Sequence, residues 1–199
     1  MHGTFHAKTG VSSAEVPQSA PRSTGSRERE GAGMTRSGRA KNGGRILLTT
    51  KKGSADVLAR LKRLDRTQRH AVLATTGRTG PLASLVAFVL TKNGRGIVFA
   101  TPARTEKYRN MKKNSRVSLL IDNRENTGKD YLGAEAVTVF GRAREIGEGA
   151  LWTELATLLV SKHDALEPFI SAPTTALMLV TIGRCVHVGK FQEVTAWKA

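Results

Sequence analysis

The chain has 199 residues, with 32 Lys and Arg against 16 Asp and Glu, a net charge of +16, and one cysteine. That length suits one domain with an appendage, and the charge excess favours anionic partners without choosing among them. The lone Cys185 excludes an intrachain disulfide framework and a multi-cysteine zinc site, and no apolar run nears the ~18 residues of a transmembrane helix.

Residues 1–45 are rich in Gly, Ser, Thr, Ala and Arg, with sparse apolar residues and no period. Such a segment buries too little apolar surface to offset its ordering entropy. It is expected to be a disordered basic tail carrying five of the sixteen net charges, with Met34 as a second possible start. The folded domain is expected over 46–199. Ser54 is a plausible N-cap, and Val57, Leu58, Leu61 and Leu64 follow at helical spacing. Short strands are expected over 71–75, 82–90 and 97–101. The first two are separated by the turn signal at 77–81, and Asn93-Gly94 marks a hairpin before the third. A short, very basic helix over 105–113 precedes a strand over 117–121 and a polar loop over 122–133. Residues 136–146 form the next strand. A helix over 149–161 presents Leu151, Leu155, Leu158 and Leu159 on one face. A long strand over 176–188 is interrupted by Gly183, as at a bulge or barrel corner. Six short strands with few helices point to an α+β, mainly β fold, a small closed antiparallel barrel with flanking helices, since closure removes the edges.

Four sequence blocks sharpen this reading. Gly80-Pro81 opens a strand. Gly96-Ile97-Val98-Phe99-Ala100-Thr101 has the spacing Gly-x-x-Phe-x-Thr. Thr105, Lys107 and Asn110 form Thr-x-Lys-x-x-Asn, and Asn114-Ser115-Arg116-Val117-Ser118-Leu119 begins the next strand. In this order the blocks resemble the pyridoxamine 5'-phosphate oxidase-like, FMN-binding split-barrel superfamily, best over residues 65–145. The resemblance implies a six-stranded antiparallel split β-barrel of Greek-key type. It also implies a homodimer whose two chains together bind FMN.

By family position, Thr105 and Lys107 would hold the FMN phosphate, with Arg104 adding a second cation. A helix N-terminus suits an anion, because its first N–H groups are free and carry partial positive charge. Asn110 would brace the helix start. Backbone groups of Ser84, Leu85 and Val86 would face the polar edge of the ring, and Ala100 and Thr101 would line it. True pyridoxamine-phosphate oxidases carry Arg where Ser84 stands, Lys where Val89 stands and Arg where Glu106 stands. They also end in an Arg-x-His pair that this chain lacks. The resemblance is therefore closer to the generalist branches: flavin reductases, haem-utilisation oxygenases and deazaflavin-dependent reductases.

The leading expectation is an FMN-dependent oxidoreductase, cytoplasmic and homodimeric, acting on a small-molecule substrate or electron donor. No side chain need act as a base, because the cofactor carries the chemistry. The alternative is a non-enzymatic or oxygenase-type haem- or flavin-binding protein of the same fold, and deazaflavin and haem are the alternatives to FMN as cofactor. His163 and His187 are the histidines that would matter for haem; both are read first as ordinary core or surface residues. No metal site is expected, since no histidines are paired at ligand spacing. No specific nucleic-acid partner is expected either, because aromatic residues make up only 5% and none is interleaved with the cations.

Overall fold

The computed structural model describes residues 47–48, 51–189 and 193–198. The tail expected over 1–45 lies outside the described residues. A two-residue strand β1 (Leu47–Leu48) precedes helix α1 (Lys51–Thr67). The helix begins before Ser54, which therefore lies inside it and is not its N-cap. Val57, Leu61 and Leu64 form its buried stripe. Strands β2 (His70–Gly77), β3 (Gly80–Leu90) and β4 (Gly96–Pro102) follow as a meander. Gly77 pairs with Gly80 across a two-residue turn, and Gly80 has φ +126°, where a side chain would be strained. Gly94, φ +72°, makes the next turn.

Helix α2 (Glu106–Lys113) carries the chain across the barrel end to β5 (Arg116–Asp122). The polar loop after it contains one helical turn, α3 (Asp130–Gly133). Then come β6 (Ala136–Ile146), α4 (Ala150–Lys162), a 3-10 turn (Asp164–Leu166), α5 (Glu167–Ile170), β7 (Thr175–Gly189) and β8 (Glu193–Lys198). The strand order is β1-β8-β7-β4-β3-β2-β5-β6, and pairing of β6 with β7 closes it. Strands β2 to β7 thus form the expected six-stranded antiparallel barrel. β8 and β1 extend β7 outward and were not legible in the sequence.

Pairing along β6–β7 passes from Phe140↔Arg184 to Gly141↔Ile182, leaving Gly183 as the extra residue of a bulge. This is the position that the sequence marks with an internal glycine. Gly141 is pressed there against the backbone of Thr181, with no room for a Cβ.

Apolar side chains gather in two layers. Leu73, Phe88, Ile97, Phe99, Leu119, Val139 and Met178 fill the barrel under α1. Val89, Val98, Ile146, Leu155, Leu159 and Leu177 pack between the outer barrel wall and α4–α5. Leu151 departs from the expected apolar face of α4: it is exposed. α4 is anchored by Lys162, which reaches the Asp65 carboxylate at 2.8 Å and lies 3.9 Å over the Phe88 ring. Asp65 also accepts the Leu90 N–H at 2.9 Å.

Candidate functional site

β3 and β4 do not pair along their whole length. Their ladder covers Leu90↔Ile97, Val89↔Val98 and Phe88↔Phe99, and ends there. Beyond it residues 85–87 and 100–102 diverge, although β3 stays paired with β2 and β4 with β7. The barrel wall is split at this point. Main-chain groups on the two facing strand edges are released from the ladder, and such groups need partners.

The split opens a cavity of about 220 Å³. Leu85, Val86, Ala100, Thr101 and Lys107 line it, which brings five of the nine expected site residues together. Ala87 and Pro102 complete the strand edges. Leu159, Leu166 and Phe169, from α4, the 3-10 turn and α5, make an apolar wall that sequence reasoning missed. The leucine spacing of α4 shows that it buries a face, but not what that face borders. Among the described residues no carboxylate lines the cavity.

The other four expected residues sit outside it. Ser84 pairs with Leu73, on the inward side of the sheet. Arg104 is exposed, and its carbonyl accepts from Arg109 Nη1 at 2.6 Å. Thr105 is the N-cap of α2: its hydroxyl donates to the Pro102 carbonyl at 2.9 Å and accepts from the Tyr108 N–H at 3.4 Å. Asn110 is buried, and its amide donates to Thr75 Oγ1 at 3.3 Å while it packs against Gly77. It thereby fixes α2 to β2.

The polar end of the cavity is the start of α2. Among the described residues the N–H groups of Glu106 and Lys107 find no protein acceptor, as the first turn of a helix leaves them. Lys107 is half-buried and makes no ion pair among the described residues, while Glu106 is exposed. A cation, free helix N–H groups, unpaired strand edges and an apolar wall suit a ligand with an anionic end and a flat, partly polar body. FMN has that shape and charge, so the residues present fit it. The cavity of one chain lies below the ~300–1,000 Å³ of sites that enclose drug-sized ligands. Leu85, 67% exposed at its mouth, leaves one side uncovered.

Val89 is packed against the α4 layer and 5% exposed. Val89 itself supplies no cation for the phosphate that a true oxidase holds with Lys at this position. His163 and His187 are both buried and engaged by protein. His163 Nε2 lies 2.9 Å from the Phe88 carbonyl, and His187 Nε2 lies 3.1 Å from Glu135 and 3.2 Å from Arg60. Burial holds both imidazoles below their ordinary value, and for His187 the Arg60 charge adds to this. Burial alone would push the Glu135 carboxyl up. Hydrogen bonds from Arg63, His187 and Arg60 outweigh it and hold Glu135 below the usual range. This network lies beside a separate cavity of about 250 Å³. Cys185 is buried and its thiol pushed up to about 12 by desolvation, so it is unreactive. Trp197 packs on the barrel core opposite Cys185. No group of metal-ligating side chains occurs among the described residues, and no described helix is long and apolar enough to cross a membrane.

Comparison with known proteins agrees with the fold. Among solved structures, a haem-binding protein from Mycobacterium smegmatis superposes with a TM-score of 0.63 at 19% identity, over 76% of this chain and 60% of that one. This chain thus spans less than two thirds of that protein. HutZ, the haem storage protein of Vibrio cholerae, gives 0.53 at 18% identity over 63% and 94% of the two chains. An FAD-binding protein from Mesorhizobium loti gives 0.54 at 16%, over 65% and 90%. At these identities the likeness is one of fold. No curated protein matches in sequence. The family profile described as pyridoxamine 5'-phosphate oxidase matches residues 57–197, which include all six barrel strands, the split and α2, and the chain belongs to that family.

Proposed function

We propose that this protein is an FMN-binding oxidoreductase whose flavin lies in the β3–β4 split. The observation that carries this reading is the end of the β3–β4 ladder at Phe88–Phe99, with Lys107 and the first turn of α2 beside the opening. Lys107 and the Glu106 and Lys107 N–H groups hold the phosphate. The free strand edges at 85–87 and 100–102 orient the polar edge of the ring. Leu159, Leu166 and Phe169 exclude water from its apolar side. When bound, the flavin supplies hydride or electron transfer, and no side chain of the cavity is placed as an acid or base. Asn110 and Thr105 act at one remove, by holding α2 in place.

A second copy of the chain completes the site in this proposal. One chain offers too little enclosed volume, and the exposed Leu85 beside the opening is the surface that a partner would cover. Haem is the weaker reading, because both histidines considered for it are already bonded within the protein.

The test is an absorption spectrum of the purified protein, then an FMN titration. Flavin bands, or tight FMN uptake by colourless protein, support the proposal. A Soret band moves the assignment to haem, and uptake of deazaflavin in preference to FMN moves it to that cofactor. No uptake of any of these leaves the fold and removes the function.

A further inference from the structure

A second basic feature lies apart from the flavin cavity, on the outer face of β5–β6–β7–β8. Arg116 of β5 stands directly opposite Arg142 of β6, and Arg184 of β7 directly opposite Lys198 of β8. Phe140 of β6 faces Arg184 across the next ladder and links the two pairs. Directly opposed residues of an antiparallel pair point to the same face with Cβ atoms ~5 Å apart, and like charges in that arrangement are destabilising. All four cations are exposed, and none forms an ion pair among the described residues. The sheet thus carries two like-charge pairs in register with no counterion among the described residues.

Two of these cations are held in position. The Arg184 guanidinium lies 4.1 Å over the Phe140 ring, and Arg142 Nη1 donates to Ser115 Oγ at 3.3 Å. Beside them is a concavity of about 320 Å³, lined by Thr75, Thr76, Arg116, Ser118 and Phe140 among others. That volume falls within the range of small-molecule sites. Guanidinium forks match phosphate oxygens bidentately and stay charged at any physiological pH. One phosphate dianion offsets two cations, whereas these two pairs present four.

We propose that this face binds a small ligand carrying linked phosphates, of pyrophosphate chemistry. Arg116 and Arg142 grip the phosphates, Arg184 and Lys198 complete the charge balance, and the concavity of mixed polarity beside Phe140, bordered by Thr76, Pro81 and Ser118, takes the group attached to them. The site shares no residue with the flavin cavity and stands whether or not that reading holds.

The test is calorimetric titration of the full chain with inorganic pyrophosphate at fixed ionic strength. Wild-type protein is expected to bind it about tenfold or more tightly than orthophosphate, because more than one fork is engaged. The Arg116→Gln/Arg142→Gln variant is expected to bind about tenfold or more weakly. Without ligand that variant should melt at the same or a higher temperature, since a repulsion is removed. Lys107→Ala should bind pyrophosphate as wild type does. Absence of binding to wild type overturns the proposal, as does unchanged affinity in the double variant. Loss of binding in Lys107→Ala instead would assign the phosphates to α2. A short oligonucleotide that binds through these arginines while pyrophosphate does not would overturn the small-ligand assignment.

Discussion

Replacing Lys107 by Ala separates a phosphate-binding cation from a merely solvated one. Lys107 lines the cavity, is half-buried, and makes no ion pair among the described residues. Its removal therefore strands no buried partner, and stability should stay within about 0.5 kcal/mol of wild type. Binding should respond differently. At ~4 Å a unit charge pair at an effective dielectric of 20 is worth roughly 4 kcal/mol before solvent screening. Charge-assisted hydrogen bonds measured by deletion retain about 1.5–3 kcal/mol of such a gain. At 1.4 kcal/mol per decade, FMN affinity should fall about 10- to 150-fold. Quenching of flavin fluorescence gives the affinity, and a thermal melt of the apoprotein gives the fold control. Lys107→Arg keeps the charge and should lose less than Lys107→Ala. An affinity within about threefold of wild type in a normally folded Lys107→Ala would refute the assignment, since it corresponds to well under 1 kcal/mol.

Leu85→Asp places a charge on the exposed residue at the mouth of the split; it should shift sedimentation toward monomer and weaken FMN binding together. An unchanged dimer would remove Leu85 from the interface. Gly141→Ala puts a methyl group against the Thr181 backbone at the β6–β7 crossing and should cost about 1–3 kcal/mol, read by denaturant unfolding. A neutral result would show that the bulge can relax. Burial depresses both His163 and His187, so the unfolded chain takes up protons near pH 6.5 while the folded chain resists. Their contribution is complete above that pH and is lost as pH falls through the folded values, by at most about 1.4 kcal/mol per pH unit for each histidine. Unfolding free energies that stay level from about pH 7.5 to 5.5 would contradict this.

The order of elements was legible because it rests on local physics. Val57, Leu61 and Leu64 repeat at helical spacing, Gly80 and Gly94 sit where turns need positive φ, and Gly183 announces its own bulge. The start of the Thr105–Asn110 block was legible for the same reason, since Thr105 caps its own helix, whereas the bond of Asn110 to Thr75 of β2 is tertiary. Periodicity missed β8, whose six residues are short and mixed in polarity and are strand only because β7 offers an edge. It expected Leu151 to be buried, because spacing defines a face of α4 but not how far the barrel wall reaches beneath it. The site itself was decided by distant pairings. β4 follows β7 for seven residues and β3 follows β2 for eight, and these commitments pull the two strands apart after Phe88 and Phe99. The opposition of Arg116 with Arg142 is likewise a matter of register across a loop. Side-chain period constrains which residues share a face of one strand, whereas strand register is set by the closure of the whole barrel.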